Sequence, residues 1–173
     1  MSTKFKVNLA GANVELNGNK IIVKGKQGEL SADIVYPFLK VEKKEDVLFI
    51  EVEKDNKFQK SIAGTLAANV RNMIKGVNEK YTAELELVYM HFPASLKLNG
   101  NRILVENFVG ERKPREIKVP EDLKAEVKGN KITISGIDKY KVGQLAGTIE
   151  SKIQIKNKDR RVFKDGIFIT KNP

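Results

Sequence analysis

The chain has 173 residues, enough for one ordinary domain or two small ones; 40% are hydrophobic and 7% aromatic, with no Trp, so any core is mainly Val, Ile and Leu. Lys and Arg total 32 against 22 Asp and Glu, and the net charge of +10 favours a polyanionic partner. The absence of Cys excludes disulfide scaffolds, thiolate zinc sites and Cys nucleophiles, and a single histidine, His91, excludes a multi-His metal site.

In chain order, the N-terminus carries no apolar run of signal-peptide length, and no segment approaches the ~20 apolar residues of a membrane helix. A cytosolic protein with no membrane partner is expected. Val14, Leu16, the Asn17-Gly18 pair, Ile21 and Val23 then alternate about a turn tolerant of positive φ, which predicts a β-hairpin. Gly25-Lys26-Gln27-Gly28 matches no phosphate-binding loop and is followed by no helix, so it is read as a strand-connecting turn. Ile62, Leu66, Val70 and Met73-Ile74 recur at helical spacing, with Asp55 or Asn56 as the start signal and Gly76 as the stop. His91 follows in Tyr89-Met90-His91-Phe92-Pro93, with no nucleophile motif nearby, and is read as a packing or interdomain residue. The hairpin device returns at Leu98-Asn99-Gly100-Asn101 and again at Val127-Lys128-Gly129-Asn130 before Ile132 and Ile134. Val142, Leu145, Ile149 and Ile153 form a second helical stripe.

These elements are two copies of one unit. Residues 14–29 and 96–111 share the core L-N-G-N-[KR]-I-[IL]-V at an offset of 82, and residues 62–70 match residues 145–153 at an offset of 83. The predicted fold class is α+β: two tandem homologous units, residues 1–81 and 82–173, each an antiparallel β-sheet with one helix packed on it. The first unit carries 14 basic and 10 acidic residues, the second 18 and 12, and seven of those 18 fall within residues 152–173. The second unit is therefore the better candidate for a polyanion surface.

The carboxylates mostly alternate with Lys, as on exposed strands, and no pair stands in an acid/base motif, so no catalytic residue, cofactor or small-molecule substrate is expected. Two basic segments are more informative. Glu111-Arg112-Lys113-Pro114-Arg115 should be an exposed loop projecting three cations. In the tail, Lys156, Lys158, Arg160, Arg161 and Lys164 are interleaved with Phe163 and an Asp165-Gly166 turn before the apolar run Ile167-Phe168-Ile169. Those cations can neutralise phosphates, and Arg can contact them bidentately; Phe168 is assigned to the core.

The segment from Asp159 to Lys171 closely resembles the C-terminal signature of the large-subunit ribosomal protein six family, in its archaeal and eukaryotic branch. Residues 69–77 (NVRNMIKGV), 89–93 (YMHFP) and 105–111 (VENFVGE) resemble further blocks of that family, in family order over nearly the whole chain. The bacterial Tyr-Lys-Gly-Lys-Gly tail is absent, and Phe168 stands where the family usually has Tyr. The resemblance implies a tandem α+β duplication that is built into the cytoplasmic large subunit. It implies binding to large-subunit rRNA, mainly through the second unit, near the sarcin–ricin hairpin and the stalk base where translational GTPases dock, with other ribosomal proteins as neighbours. By carry-over it makes Arg112, Lys113, Arg115, Lys156, Lys158, Arg160, Arg161 and Lys164 candidate RNA contacts. The alternative is a protein–protein interaction scaffold with non-specific nucleic-acid affinity.

Overall fold

A computed structural model describes residues 4–9, 11–44, 46–53, 56–159 and 161–173. The chain divides into two compact units, Met1–Lys80 and Tyr81–Pro173. Each holds antiparallel strands and one helix, but the single sheet expected per unit is split into two.

In the first unit the strands are β1 (Lys4–Asn8), β2 (Asn13–Asn17), β3 (Lys20–Gly25), β4 (Gly28–Asp33), β5 (Leu39–Lys44) and β6 (Val47–Val52), followed by helix α1 (Lys57–Asn78). One sheet has the order β1-β6-β5 and the other β2-β3-β4. Their inward positions, among them Val7, Ile21, Val23, Leu48 and Ile50, are fully buried, together with Ala63, Ala67, Val70 and Val77 of α1. The period-2 and period-3.6 stripes read from the sequence are thus the core-facing sides.

The second unit repeats the plan with β7 (Tyr81–Val88), β8 (Ser95–Asn99), β9 (Arg102–Glu106), β10 (Arg115–Lys118), β11 (Lys124–Lys128), β12 (Lys131–Gly136) and helix α2 (Lys139–Lys152). It adds one strand, β13 (Gly166–Lys171). The sheets run β10-β9-β8 and β11-β12-β7-β13. Ile103, Ile117, Ile132, Ile134, Ile149 and Ile153 are all fully buried in one cluster with Leu85 and Phe108. The β7 strand plays the part of β1, but its outer edge is covered by β13, whereas no described strand covers β1.

Three local readings needed adjustment. The hairpin register pairs Asn17 with Lys20 and Asn99 with Arg102, so the two turn residues are Gly-Asn rather than Asn-Gly. Positive φ falls on Gly18 (57°), Gly100 (55°) and Gly129 (59°) and not on the following Asn, as in turns with glycine at the first central position. Gly18→Val should therefore cost about 1–2 kcal/mol by urea unfolding, because the strain is conformational: nothing lies within 4 Å of a Cβ built there.

The first helix also runs through Gly76 to Asn78 instead of stopping there. Val77 is the reason: it is fully buried, and its carbonyl accepts a hydrogen bond from the Gln27 N–H at 2.9 Å. A Cβ on Gly25 would sit 2.6 Å from Val77 Cγ2, so that glycine permits the close approach of helix and strand. Asn56 occupies the N-cap position of α1, without a side-chain hydrogen bond, while Asp55 lies outside the described residues. Finally, Phe168 points outward and is 44% exposed; its neighbour Ile167 takes the core position.

Candidate nucleic-acid interface

Charge on the sheets is largely cancelled at short range. Lys4 pairs with Glu51, Lys24 with Glu15, Lys40 with Glu53, Lys97 with Glu106 and Arg102 with Glu116, each between neighbouring strands or the residue beyond one. The carboxylates that alternate with Lys thus neutralise it locally, and cross-strand pairs of this kind are modestly stabilising.

The two basic segments of the second unit differ. Arg112, Lys113, Lys156, Lys158, Arg161 and Lys164 are exposed. Among the described residues, Arg112, Lys113, Lys156 and Lys164 have no ion pair or hydrogen-bond partner. Arg161 holds Asp159 through a two-pronged contact, with Nη2 to Oδ2 at 2.8 Å, and its own N–H donates to Asp159 Oδ1 at 2.9 Å. The Arg161 guanidinium, and after it the Arg161 N–H, lower the Asp159 pKa, so the pair stays ionic. Arg160 lies outside the described residues.

Arg115 is placed differently from its neighbours. Its side chain is 25% exposed, it pairs with Glu111, and its guanidinium lies 4.6 Å from the Phe108 ring centroid. Nη1 donates to the carbonyls of Lys152 (2.9 Å) and Gln154 (3.2 Å), where α2 has run out and the tail begins. Arg115 therefore satisfies carbonyls at the helix terminus and fastens the Arg112-Lys113 loop to the start of the tail. The neighbouring turn is strained, with φ of 54° at Asn107 and 53° at Val109, and the Asn107 side chain donates to the Pro93 carbonyl at 2.9 Å. A β-branched residue at positive φ persists only where its surroundings enforce it.

The tail is a loop closed at its base by a bridge between Gln154 and Gly166. Asp165, at that closure, is buried, with a side chain 2% exposed. Its Oδ1 accepts from the N–H groups of Met90 (2.8 Å) and His91 (3.2 Å), and its Oδ2 lies 2.9 Å from His91 Nδ1. Burial pushes this carboxyl up, but the Met90 N–H, the His91 ring and the His91 N–H together hold it below the ordinary carboxylate value. His91 stacks on Phe163, with centroids 4.6 Å apart and planes at 28°, and Lys158 Nζ lies 4.5 Å from the same Phe163 centroid. The sequence reading treated His91 as packing and missed this set. The signals were present in a lone His and an Asp-Gly pair, but nothing local joins positions 74 apart.

The comparisons agree with this architecture. The family model described as Ribosomal protein L6 matches the chain twice, over residues 10–80 and 92–166. Among curated relatives, the large ribosomal subunit protein uL6 of Methanosarcina mazei is 40% identical over 159 residues, covering 92% of this chain and 90% of the relative. The proteins of the same description from Methanobrevibacter smithii and Methanocella arvoryzae are 38% and 37% identical, each over 92% of this chain and 89% and 91% of the relative. With a double match across both repeats and relatives aligned almost end to end, the chain belongs to the ribosomal protein L6 family.

Proposed function

We infer that the chain is a structural, non-enzymatic constituent of the large ribosomal subunit in the cytoplasm, clamping rRNA through its second unit. The observation that carries this reading is the distribution of partners. Most cations on the sheets are paired, with Lys6, Lys118, Lys124 and Lys131 as exceptions among the described residues, whereas Arg112, Lys113, Lys156 and Lys164 are unpartnered together on two segments that Arg115 fastens to each other. Free cations on a braced surface suit folded RNA, which is read largely through shape, phosphates and 2′-hydroxyls. Exposed Arg161 extends that surface, Arg160 is proposed as an RNA contact from the sequence resemblance alone, and Arg115 acts chiefly as the brace. The resemblance of the tail and its companion blocks favours a location near the sarcin–ricin hairpin and stalk base, close to where translational GTPases dock.

The first unit is less basic and carries an exposed aromatic cluster, with Tyr36 5.2 Å from Phe38 and 6.5 Å from Phe58 between ring centroids. Such a cluster fits a protein neighbour better than a phosphate backbone.

The test is binding to a large-subunit rRNA fragment carrying the sarcin–ricin hairpin and its flanking helices, against a shuffled RNA of equal length, over a salt series. Preference for the native fragment that persists at moderate salt is the expected result. Equal and steeply salt-sensitive binding to both RNAs would leave the scaffold reading instead.

A further inference from the structure

Phe163 is aromatic, half-buried and outside the hydrophobic core, so filling the interior does not account for it. Its setting suggests another use. One flank of the ring is covered by His91, and His91 is immobilised by the buried Asp165, which also accepts from two backbone N–H groups. The flexible ammonium of Lys158 also lies against the ring, 4.5 Å from its centroid. An aromatic side chain braced from behind by a fixed ring loses little freedom when something stacks on it, and such preorganisation raises affinity.

We propose that Phe163, backed by His91 and Asp165, is a stacking seat for one unpaired nucleobase, which displaces Lys158 from the ring when RNA binds. This rests on the RNA-binding reading above and goes beyond it, because the cations recognise phosphate whereas this ring recognises a base. Three features agree on the ligand. Base stacking on an aromatic ring is stronger than an exposed ammonium–ring contact, so the exchange runs in favour of the base. The released Lys158 then joins exposed Lys156, Arg161 and Lys164 on the same loop, where phosphates flanking the base would lie. A base inside a helix has no free face, so the seat selects a bulged or looped-out nucleotide, the form in which RNA offers its bases to aromatic side chains.

The experiment uses the full chain, the same rRNA fragment and two variants. Phe163→Leu keeps apolar bulk but removes the stacking face; its affinity should fall about tenfold to a hundredfold with an unchanged salt slope, because no cation is lost. Phe163→Trp supplies the only indole, since the chain has no Trp; it should bind within about threefold of wild type, with indole fluorescence quenched on binding by the stacked base. Wild-type affinity in Phe163→Leu, or unquenched indole fluorescence in an RNA-bound Phe163→Trp variant, overturns the seat and leaves the electrostatic clamp intact. The second readout decides the matter if Phe163→Leu fails to fold. If the wild-type chain itself shows no preference for the native fragment, the clamp fails and the seat falls with it.

Discussion

Asp165→Ala should lower the stability of the second unit by about 3 kcal/mol, the scale expected when a buried charge with several hydrogen bonds is removed and its donors are left without an acceptor. The N–H groups of Met90 and His91 and the His91 ring all depend on this one carboxylate. Hydrogen exchange would localise the effect, with protection falling in β7, β12 and β13 while β3 and β6 keep theirs. Asp165→Asn retains one oxygen for the two backbone donors but sets an amide against the imidazole, so it should lose less. The pH dependence has a defined sign. The folded carboxyl titrates below the ordinary aspartate value of 3.8, so its contribution is full above that value and is lost as pH falls through the lower folded value. A stability–pH profile of Asp165→Asn should lack that acid-side component. An Asp165→Ala protein as stable as wild type would show that the closure of the tail does not depend on this residue.

The second large effect concerns affinity. Combining Arg112→Ala, Lys113→Ala, Lys156→Ala and Lys164→Ala removes four cations that have no partner within the described residues. Each phosphate contact contributes roughly 0.7–0.9 to the slope of log affinity against log salt, so the slope should shrink by about 3 and affinity at 0.1 M salt should fall about a thousandfold. Thermal stability should hardly change, since no ion pair or hydrogen bond among the described residues is lost. Neutralising paired sheet cations instead, as in Lys24→Ala with Lys97→Ala, should leave RNA binding nearly untouched. Equal losses from the two sets would mean that overall charge, and not this surface, governs binding.

What was legible in the sequence follows from how local each cause is. Alternation at Val14, Leu16, Ile21 and Val23, and helical spacing at Val142, Leu145 and Ile149, are period signals, and all of these are buried except Leu16, which is half-buried near the turn. Turn glycines were found because positive φ restricts residue choice at one position, although the register fell one residue away from the simplest reading. Gly76 misled because glycine ends a helix only when nothing beyond it is needed inside, and Val77 is needed there. Phe168 misled because a strand of six residues with apolar side chains on both faces does not declare which face is inward. The Arg115 brace and the Asp165–His91–Phe163 set were illegible because their partners lie 37 to 74 residues away or depend on a loop's exact path.

The added strand β13 bears on the order of events during synthesis. It pairs with β7, matching Gly166 to Val88 and Ile169 to Leu85, so the sheet of the second unit joins the beginning of that unit to residues near 170. In the first unit the corresponding sheet is complete once β6 has emerged, a closure spanning about fifty residues. A nascent chain can thus settle its first half while the second still lacks its final pairing, and such distant closures form late. Until then β7, with buried side chains at alternate positions over eight residues, has an open edge that invites mispairing. The basic loop lies immediately before β13 and is closed by Asp165 at the strand's entrance, so a chain that stops short forfeits both at once. If this loop is the proposed RNA clamp, its competence is coupled to a finished sheet, and only chains folded to the last strand offer it.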